Sequence, residues 1–347
     1  MLVEQRPWGY LKNGGKVALV RLTNAAGAYV EFTNLGATWL SAVVPDSLGR
    51  LDDVLLGFNT PEDYIEDTSY MGATVGRFAN RIDSARFSIG EETFKLDVND
   101  GKNSNHGGFS GFHKKIWDTE LLESGVRFLL TSPDGEGGYP GNLSVEVTYS
   151  FSEDNSLSIE FKGRSDRTTV LNMTNHAYLN LAGAGNVLDH TLWIPSLEML
   201  ETREDFVPTG RFTKIRNTPF DFSFPETIGK HIHEDDQQLK WNRGYNHCYV
   251  LQHKKSVSPV FSARLFHPGS GRQMHLSTTL PGILLYTGNY LDTKSNGKKG
   301  EPYRPYDGLC LETQFYPDSP NHAHFPSCLL TSEEEYVHTT VFRFSCI

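Results

Sequence analysis

Cysteine is scarce in this chain of 347 residues. The four cysteines, Cys248, Cys310, Cys328 and Cys346, include no Cys-x-x-Cys pair, so we expect free thiols rather than a disulfide framework. The chain also lacks an apolar run long enough to span a bilayer, and residues 1–8 lack the basic-then-apolar pattern of a signal peptide. These absences predict a soluble cytoplasmic protein.

An excess of basic residues is missing as well. The formal net charge is −10, and the acidic residues are spread along the chain rather than held in a tail. Nucleic acids and anionic membranes both reward a basic patch, so we expect neither as a partner. The sequence does not determine the oligomeric state, for which a monomer or weak dimer is the expectation.

Long amphipathic helices are absent too, and apolar residues alternate with polar ones instead. From Leu143 to Phe151 every second residue is apolar, and after a polar turn the same alternation resumes at Leu157, which predicts a β-hairpin. The best helical candidate is the short stretch that begins at Pro61, a residue tolerated at the first helical position. Further strands are predicted at residues 16–22, 28–33, 38–44, 86–89, 126–131, 170–174, 260–266, 283–287, 308–314 and 340–344.

Many strands without crossover helices predict an all-β fold, with antiparallel sheets packed as a sandwich or barrel. No change of composition and no Pro-rich or Ser-rich linker divides the chain. We therefore expect one domain over residues 1–347. The glycine-rich stretch 295–300 has the composition of a mobile turn.

Glu312 is the first candidate for chemistry. It lies in the predicted strand 308–314, which is followed by a loop with Pro317 and Pro320. A strand fixes the side chain, and partial burial raises a carboxyl pKa toward the range useful for proton transfer. The pattern fits a catalytic carboxylate and a structural glutamate equally well.

Two histidines are further candidates. His176 follows an apolar stretch within Thr174-Asn175-His176-Ala177-Tyr178, where it could serve as acid or base, or be a core histidine with a backbone partner. His106 lies in Asn105-His106-Gly107-Gly108. Glycines there allow close approach of a ligand, but the same pattern is typical of any tight turn.

The stretch Gly76-Arg77-Phe78-Ala79-Asn80-Arg81-Ile82 lacks both the P-loop lysine and the dinucleotide glycine spacing, which disfavours phosphate binding. Arg77, Asn80 and Arg81 offer planar donors that could orient sugar hydroxyls or carboxylates. A surface ion pair is the alternative for the arginines.

Metal binding has two candidate pairs, His231-x-His233 and His322-x-His324. Such spacing places two imidazoles on one face of a strand, but acidic residues follow the first pair and prolines flank the second. We therefore expect no metal.

Taken in order, several motifs resemble the aldose 1-epimerase, or galactose mutarotase, family. They are Asn80-Arg81, Asn105-His106-Gly107-Gly108, Thr174-Asn175-His176-x-Tyr178-x-Asn180-Leu181, Tyr286-Thr287-Gly288-Asn289 and Leu311-Glu312-Thr313-Gln314-x-Tyr316-Pro317-Asp318-Ser319-Pro320-Asn321.

The resemblance implies a large antiparallel β-sandwich of the galactose mutarotase type, with few short helices. It also implies interconversion of the α and β anomers of a free aldose such as galactose or glucose, without metal or cofactor. In that reaction Glu312 matches the general base, His176 the general acid and His106 a second histidine near the ring oxygen. Asn80, Arg81, Tyr178 and Asn246 fall where the family contacts sugar.

The sequence departs from the family pattern at four positions. Asn246 stands where an Asp is usual, and Leu284 replaces an expected Gln. Asn105 and His113 replace an expected Leu and Asp near the His-Gly-Gly turn. Asn246 keeps one acceptor but gains donors and loses the charge, and the apolar Leu284 cannot hydrogen-bond a hydroxyl. These two changes predict an altered choice of aldose.

Three other functions compete with this interpretation. A glycoside hydrolase needs a second carboxylate, for which Asp318 is the available candidate, and a sugar-phosphate epimerase needs a basic pocket. A catalytically weak or silent sugar-binding protein on the same fold is the third.

Overall fold

The computed structural model describes residues 1–12, 14–251 and 256–347. Short strands dominate the described chain. In the first third they are β1 Leu2–Tyr10, β2 Lys16–Thr23, β3 Tyr29–Thr33, β4 Thr38–Pro45, β5 Leu51–Asp53, β6 Thr74–Val75, β7 Arg81–Ile82, β8 Arg86–Ile89, β9 Glu92–Lys95 and β10 Ser104–Asn105. In the middle they are β11 Asp118–Leu122, β12 Gly125–Ser132, β13 Leu143–Phe151, β14 Ser156–Ser165, β15 Thr169–Val170, β16 Thr174–Asn175, β17 Thr191–Trp193, β18 Glu198–Thr202, β19 Pro208–Lys214 and β20 Glu226–Thr227. The last are β21 Asn246–Val250, β22 Val260–Phe266, β23 Arg272–Thr278, β24 Gly282–Tyr286, β25 Cys310–Gln314, β26 Leu329–Leu330 and β27 Tyr336–Cys346.

Three antiparallel sheets form the body of the fold. One has five strands in the order β1-β2-β3-β4-β5, and a second has nine in the order β11-β12-β13-β14-β27-β23-β22-β17-β20. The third has five strands in the order β19-β18-β21-β24-β25. Their inner faces share one continuous core cluster, to which Val30, Val147 and Leu285 each contribute from a different sheet. The expected all-β sandwich is thereby confirmed, while its description as one domain over 1–347 stays a prediction.

The predicted hairpin is present. β13 pairs with β14 from Phe151 opposite Leu157 to Leu143 opposite Ser165. Its apolar residues are buried at every second position, because successive side chains of a strand point to opposite faces.

Helices are few in the described chain. α1 spans Pro61–Glu66, as predicted, and the hydroxyl of Thr60 accepts a hydrogen bond from the N–H of Asp63 at its start. α2 spans Gln237–Asn242 and was missed, although Asp236 caps it by accepting from two backbone N–H groups. Short 3₁₀ turns occur at Asp83–Ala85, Phe112–Lys114, Glu136–Gly138, Ile228–Lys230 and Ser319–Asn321. None of the described helices is long and apolar enough to cross a membrane.

The prediction of a continuous strand over 170–174 was wrong. Residues 169–170 pair with β26, and residues 174–175 pair with β6. Between them Asn172 donates its side-chain amide to the carbonyl of Ala79 and accepts the N–H of Phe315. This interrupted segment then runs beside β25, where Leu179 exchanges two backbone hydrogen bonds with Leu309.

Candidate active site

A cleft of about 540 Å³ opens beside β25. Its walls come from β24, β25, the segment after β16, the turn after β10 and two loops. The lining includes every residue predicted for the site: Asn80, Arg81, His106, His176, Tyr178, Asn246 and Glu312. A volume in this range suits a small ligand.

Glu312 is held at the floor of the cleft by the alternation of β25. Its neighbours Leu311 and Thr313 point to the other face, and Leu311 joins the main core. The side chain of Glu312 is 1% exposed, and burial raises its carboxyl pKa to about 8 against a smaller opposing effect of Arg81. Oε2 has no hydrogen-bond partner among the described residues. This carboxyl is therefore ready to exchange a proton near neutral pH.

His176 lies next to this carboxyl. Its Nε2 is 3.7 Å from Oε1 of Glu312, and its Nδ1 is 3.5 Å from the sulfur of Cys310. Burial lowers the pKa of His176 to about 4, opposed in part by a hydrogen bond to its own backbone. The low pKa means that burial favours the neutral imidazole.

His106 enters the cleft from the turn after β10. Its Nδ1 accepts a hydrogen bond from the backbone N–H of Asn80 at 3.2 Å, so the neutral ring carries its proton on Nε2. Burial lowers the pKa of His106 well below its usual value, and the neighbouring His176 and Arg81 act in the same direction. His106 is thus a fixed hydrogen-bond donor.

The glycines after His106 serve backbone packing. A Cβ on Gly107 would lie 1.9 Å from the carbonyl oxygen of Gly76, and the φ of Gly107 is 83°. Of the two alternatives from the sequence, the tight turn is therefore the one observed for Gly107.

Two of the predicted sugar-contact residues, Arg81 and Tyr178, are held by side-chain hydrogen bonds. Nε of Arg81 donates to Asp100 at 2.7 Å, and its guanidinium lies 4.9 Å from the centre of the Phe206 ring. The hydroxyl of Tyr178 donates to the carbonyl of Ser69. Asn246 lies in β21, opposite Tyr286 of β24.

Arg77 does not belong to the site. Its guanidinium is buried and donates to the Ser132 hydroxyl and to the carbonyls of Ser132, Pro133 and Pro140. Neither the ligand contact nor the surface ion pair considered for it is observed. These hydrogen bonds hold residues 132–140 against the segment that carries Arg77.

Asp318 lies outside the cleft as well. Its carboxylate accepts the backbone N–H of Asp83 and the side-chain amide of Asn321. It therefore does not supply the second carboxylate that a glycoside hydrolase would place opposite Glu312.

Sequence reasoning missed Tyr70, which covers the histidines. Its ring centre lies 4.6 Å from that of His106, 4.7 Å from that of His113 and 5.8 Å from that of His176. Tyr286 and Tyr290 also line the cleft. Only Tyr286 lay in a motif that the sequence analysis singled out, and no spacing pointed to Tyr70.

The residues that lie close enough together to hold a metal are not the two His-x-His pairs considered from the sequence. Within the described ranges the three-residue cluster is His106, His176 and Glu312, whose candidate ligand atoms lie within 4.8 Å of one another. However, Asn80 occupies Nδ1 of His106 and leaves the proton on Nε2, the nitrogen that would have to be free to ligate. The donor set therefore fits proton transfer better than metal binding.

Comparison with known proteins identifies the family. The model of the aldose 1-epimerase family matches residues 18–343. The chain belongs to the aldose 1-epimerase family.

Relatives of this aldose 1-epimerase family member match over nearly their full length. The galactose mutarotase of Bos taurus is 43% identical over 318 residues, covering 91% of each chain. The aldose 1-epimerase of Escherichia coli (strain K12) is 38% identical over 337 residues, covering 96% of each. The enzyme class is therefore that of an isomerase, as predicted.

Solved structures of the family share the fold. An aldose epimerase homologue from C. elegans superposes with a TM-score of 0.87 at 31% identity, covering 94% of this chain and 98% of that one. The galactose 1-epimerase of Lactobacillus acidophilus NCFM gives a TM-score of 0.86 at 28% identity, covering 99% of both. Both likenesses extend over the whole sandwich.

Proposed function

We propose that this protein is an aldose 1-epimerase that opens and recloses the ring of a free aldose, with Glu312 and His176 as its proton-transfer pair. The single observation that carries the assignment of residues is the 3.7 Å separation of the Glu312 Oε1 and His176 Nε2 atoms at the floor of the cleft. Opening the ring requires the C1 hydroxyl to lose a proton while the ring oxygen O5 gains one. Two adjacent groups that exchange protons supply both transfers.

Glu312 and His176 need to share one transferable proton between them for this reaction. Burial favours a protonated Glu312 and a neutral His176 in this structure, the reverse of the ionised base and protonated acid that the roles suggest. Sugar hydroxyls that donate to the carboxylate stabilise its charged form, so binding draws the proton from Glu312 onto His176. Glu312 then takes the C1 hydroxyl proton and His176 gives its proton to O5.

Reclosure reverses both transfers. After rotation about the C1–C2 bond, O5 returns its proton to His176 as it attacks the other face of the aldehyde, and O1 regains a proton from Glu312. The enzyme ends as it began, and each positioned transfer is worth roughly 10²–10⁴ in rate.

His106 has a different task from His176. Since Asn80 fixes its tautomer and its pKa lies far below neutral, His106 donates a hydrogen bond without changing its protonation state. Both features support His176 rather than His106 as the proton carrier in this proposal. Asn80, Arg81, Tyr178 and Asn246 complete the walls around the sugar.

Galactose is the first substrate to test, because several relatives carry the name galactose mutarotase. NMR exchange or polarimetry on freshly dissolved α-anomers of galactose, glucose and other aldoses measures the acceleration. E312Q and H176N should each remove most of it, by about 10²-fold or more. H231N, which changes a histidine paired with Glu234 outside the cleft, is the matched control and should keep full activity.

Two outcomes would contradict the proposal. If the wild-type protein accelerates no aldose, it is a silent sugar-binding protein on this fold. If it accelerates one and both E312Q and H176N retain the rate, the chemistry belongs to other residues.

A further inference from the structure

Leu284 forms an apolar wall directly beside the proposed base. In β24 it pairs with Glu312 of β25 on one side and with Cys248 of β21 on the other. Directly paired residues of neighbouring strands project from the same face of a sheet. Leu284 lines the cleft and packs in an apolar cluster with Cys248, Leu200, Tyr316 and Phe325. The side chains next to Glu312 on the same face of the sheet, Leu284 of β24 and then Cys248 of β21, are therefore apolar.

His176 approaches Glu312 from the opposite side. β25 is the last strand of its sheet, with β24 on one edge. The segment that carries His176 runs along the other edge. It is held there by two backbone hydrogen bonds between Leu179 and Leu309 and by the N–H of Phe315, which donates to the side-chain oxygen of Asn172. Leu284 and His176 thus flank Glu312 on opposite sides.

The covalent structure of a cyclic aldose now orients the ligand. Its C1 carries the reacting hydroxyl and has two ring neighbours, O5 and C2. If Glu312 contacts O1 and His176 contacts O5, as the proposed function requires and on which this step rests, C2 falls on the side of Leu284. We propose that Leu284 faces C2 of the bound sugar and that the enzyme prefers 2-deoxyaldoses to the corresponding 2-hydroxyaldoses.

The chemistry of the Leu284 side chain supports a preference for 2-deoxyaldoses. Leucine offers neither donor nor acceptor, so a 2-hydroxyl buried against it loses its bonds to water without replacement. A methylene at C2 loses none and gains apolar contact. Other polar side chains of the cleft lie away from Leu284: Asn246 is opposite Tyr286, two residues further along β24. Hydroxyls remote from C2 therefore keep partners.

The test compares matched sugar pairs. For the wild-type protein, kcat/KM is measured by polarimetry for 2-deoxy-D-galactose and D-galactose and for 2-deoxy-D-glucose and D-glucose, after subtraction of each spontaneous rate. We expect the 2-deoxy sugar of each pair to be favoured by about 10-fold or more. Removing a hydroxyl remote from C2, as in 6-deoxy-D-galactose, should bring no such gain.

Variants at position 284 provide the matched control. L284Q places a hydrogen-bonding group at C2 and should reverse the ratio toward the 2-hydroxy sugars, whereas L284M keeps an apolar wall and should keep the 2-deoxy preference. Calorimetric binding of the same sugars to E312Q gives the preference without turnover. If L284Q does not fold, the wild-type ratio and the E312Q binding ratio still decide.

The outcomes separate the two claims. The role of Leu284 is overturned if the wild-type protein turns over the 2-hydroxy sugars at least as well as the 2-deoxy sugars and E312Q binds them at least as tightly. That result leaves the proposed function standing. Failure to accelerate any of the four sugars overturns the proposed function, and this inference falls with it.

Discussion

Burial is the dominant influence on the two reacting side chains. It raises the pKa of Glu312 to about 8 and lowers that of His176 to about 4, because a charge is costly in a site with few polar partners. Between these values the pair holds one proton. Below pH 4 the pair holds two protons and lacks a base. Above pH 8 it holds no proton and cannot protonate O5.

The pH profile follows from this count. We expect kcat/KM for a neutral aldose to be bell-shaped, with an acid limb near pH 4 and an alkaline limb near pH 8. Because the groups interact, the limbs belong to the pair rather than to either residue. Polarimetric rates from pH 3 to 10, in buffers containing EDTA to remove stray metal, measure them. A profile that is flat over this range would contradict the assignment.

The same carboxyl should limit stability. A glutamate whose pKa rises from 4.5 to about 8 on folding destabilises the folded state once the pH exceeds 4.5, by about 3 kcal/mol at pH 7. E312Q removes this ionisation, so it should raise the free energy of unfolding at pH 7 by up to that amount while it abolishes activity. Chemical denaturation at pH 7 and pH 4 measures the effect.

At pH 4 both states of the wild-type chain are largely protonated at this position, so the gain from E312Q should vanish. E301Q, at a surface glutamate remote from the cleft floor, is the control and should change little at either pH. A gain from E312Q that is independent of pH would show that packing, not ionisation, is responsible.

Residues marked by chemistry in a motif could be predicted from the sequence, and residues placed by packing could not. Glu312, His176 and His106 were singled out because carboxylates and imidazoles exchange protons, and the fold brings all three to one cleft. Tyr70 contacts three histidine rings but lies far from them in sequence. Arg77 shares its motif with Arg81, and only the tertiary structure shows that it turns away from the cleft.

At the scale of elements, regular alternation was the reliable signal. β13 and β14 alternate over nine or more residues and were found with their pairing. β15 and β16 have two residues each, too few for any periodicity, and were merged into one predicted strand. α2 has six residues, fewer than two helical turns, so the Asp236 cap was the only sequence sign of it.

In the segment 291–304, one lysine makes several hydrogen bonds to neighbouring strands. Within it, Lys298 donates to the Asp53 carboxylate at 2.7 Å, to the Ser41 hydroxyl and to the carbonyls of Leu40 and Leu55. The mobility that its glycines suggest at 295–300 stays a prediction. Residues 291–295 of this segment line the cleft. Lys298 therefore connects the wall of the site to strands β4 and β5.

K298M tests this connection. The substitution leaves Asp53 and two carbonyls without their cation, so we expect a loss of about 3 kcal/mol in the free energy of unfolding. It should also raise KM several-fold with a smaller change in kcat, because the displaced wall contacts sugar but not the reacting atoms. Denaturant unfolding and polarimetric kinetics measure the two effects.

K299M is the matched control for K298M. The side chain of Lys299 is 57% exposed and pairs with Asp52, so its loss should cost less than about 1 kcal/mol and leave KM unchanged. If K298M behaves like K299M, the loop holds its place without the buried lysine.

For the whole molecule, charge bears on the choice of substrate. The net charge is −10, and the cleft is lined by the exposed carboxylates of Glu66 and Asp292 as well as by Asp63. Arg81, the cation nearest the reacting pair, is already bonded to Asp100. The surroundings of the cleft therefore repel an anion and are indifferent to a neutral sugar.

Phosphorylated sugars should accordingly be poor substrates. We expect kcat/KM for galactose 6-phosphate to be at least about 10-fold below that for galactose at low ionic strength, because association with a like-charged cleft is slowed. Raising the salt to 0.5 M shortens the screening distance to a few ångströms and should narrow the gap, while the rate with galactose stays constant. Coupled NMR exchange measurements at both salt concentrations test this. A faster rate with the phosphate, or a gap that salt does not narrow, would show that local contacts such as Lys294 outweigh the field of the whole protein.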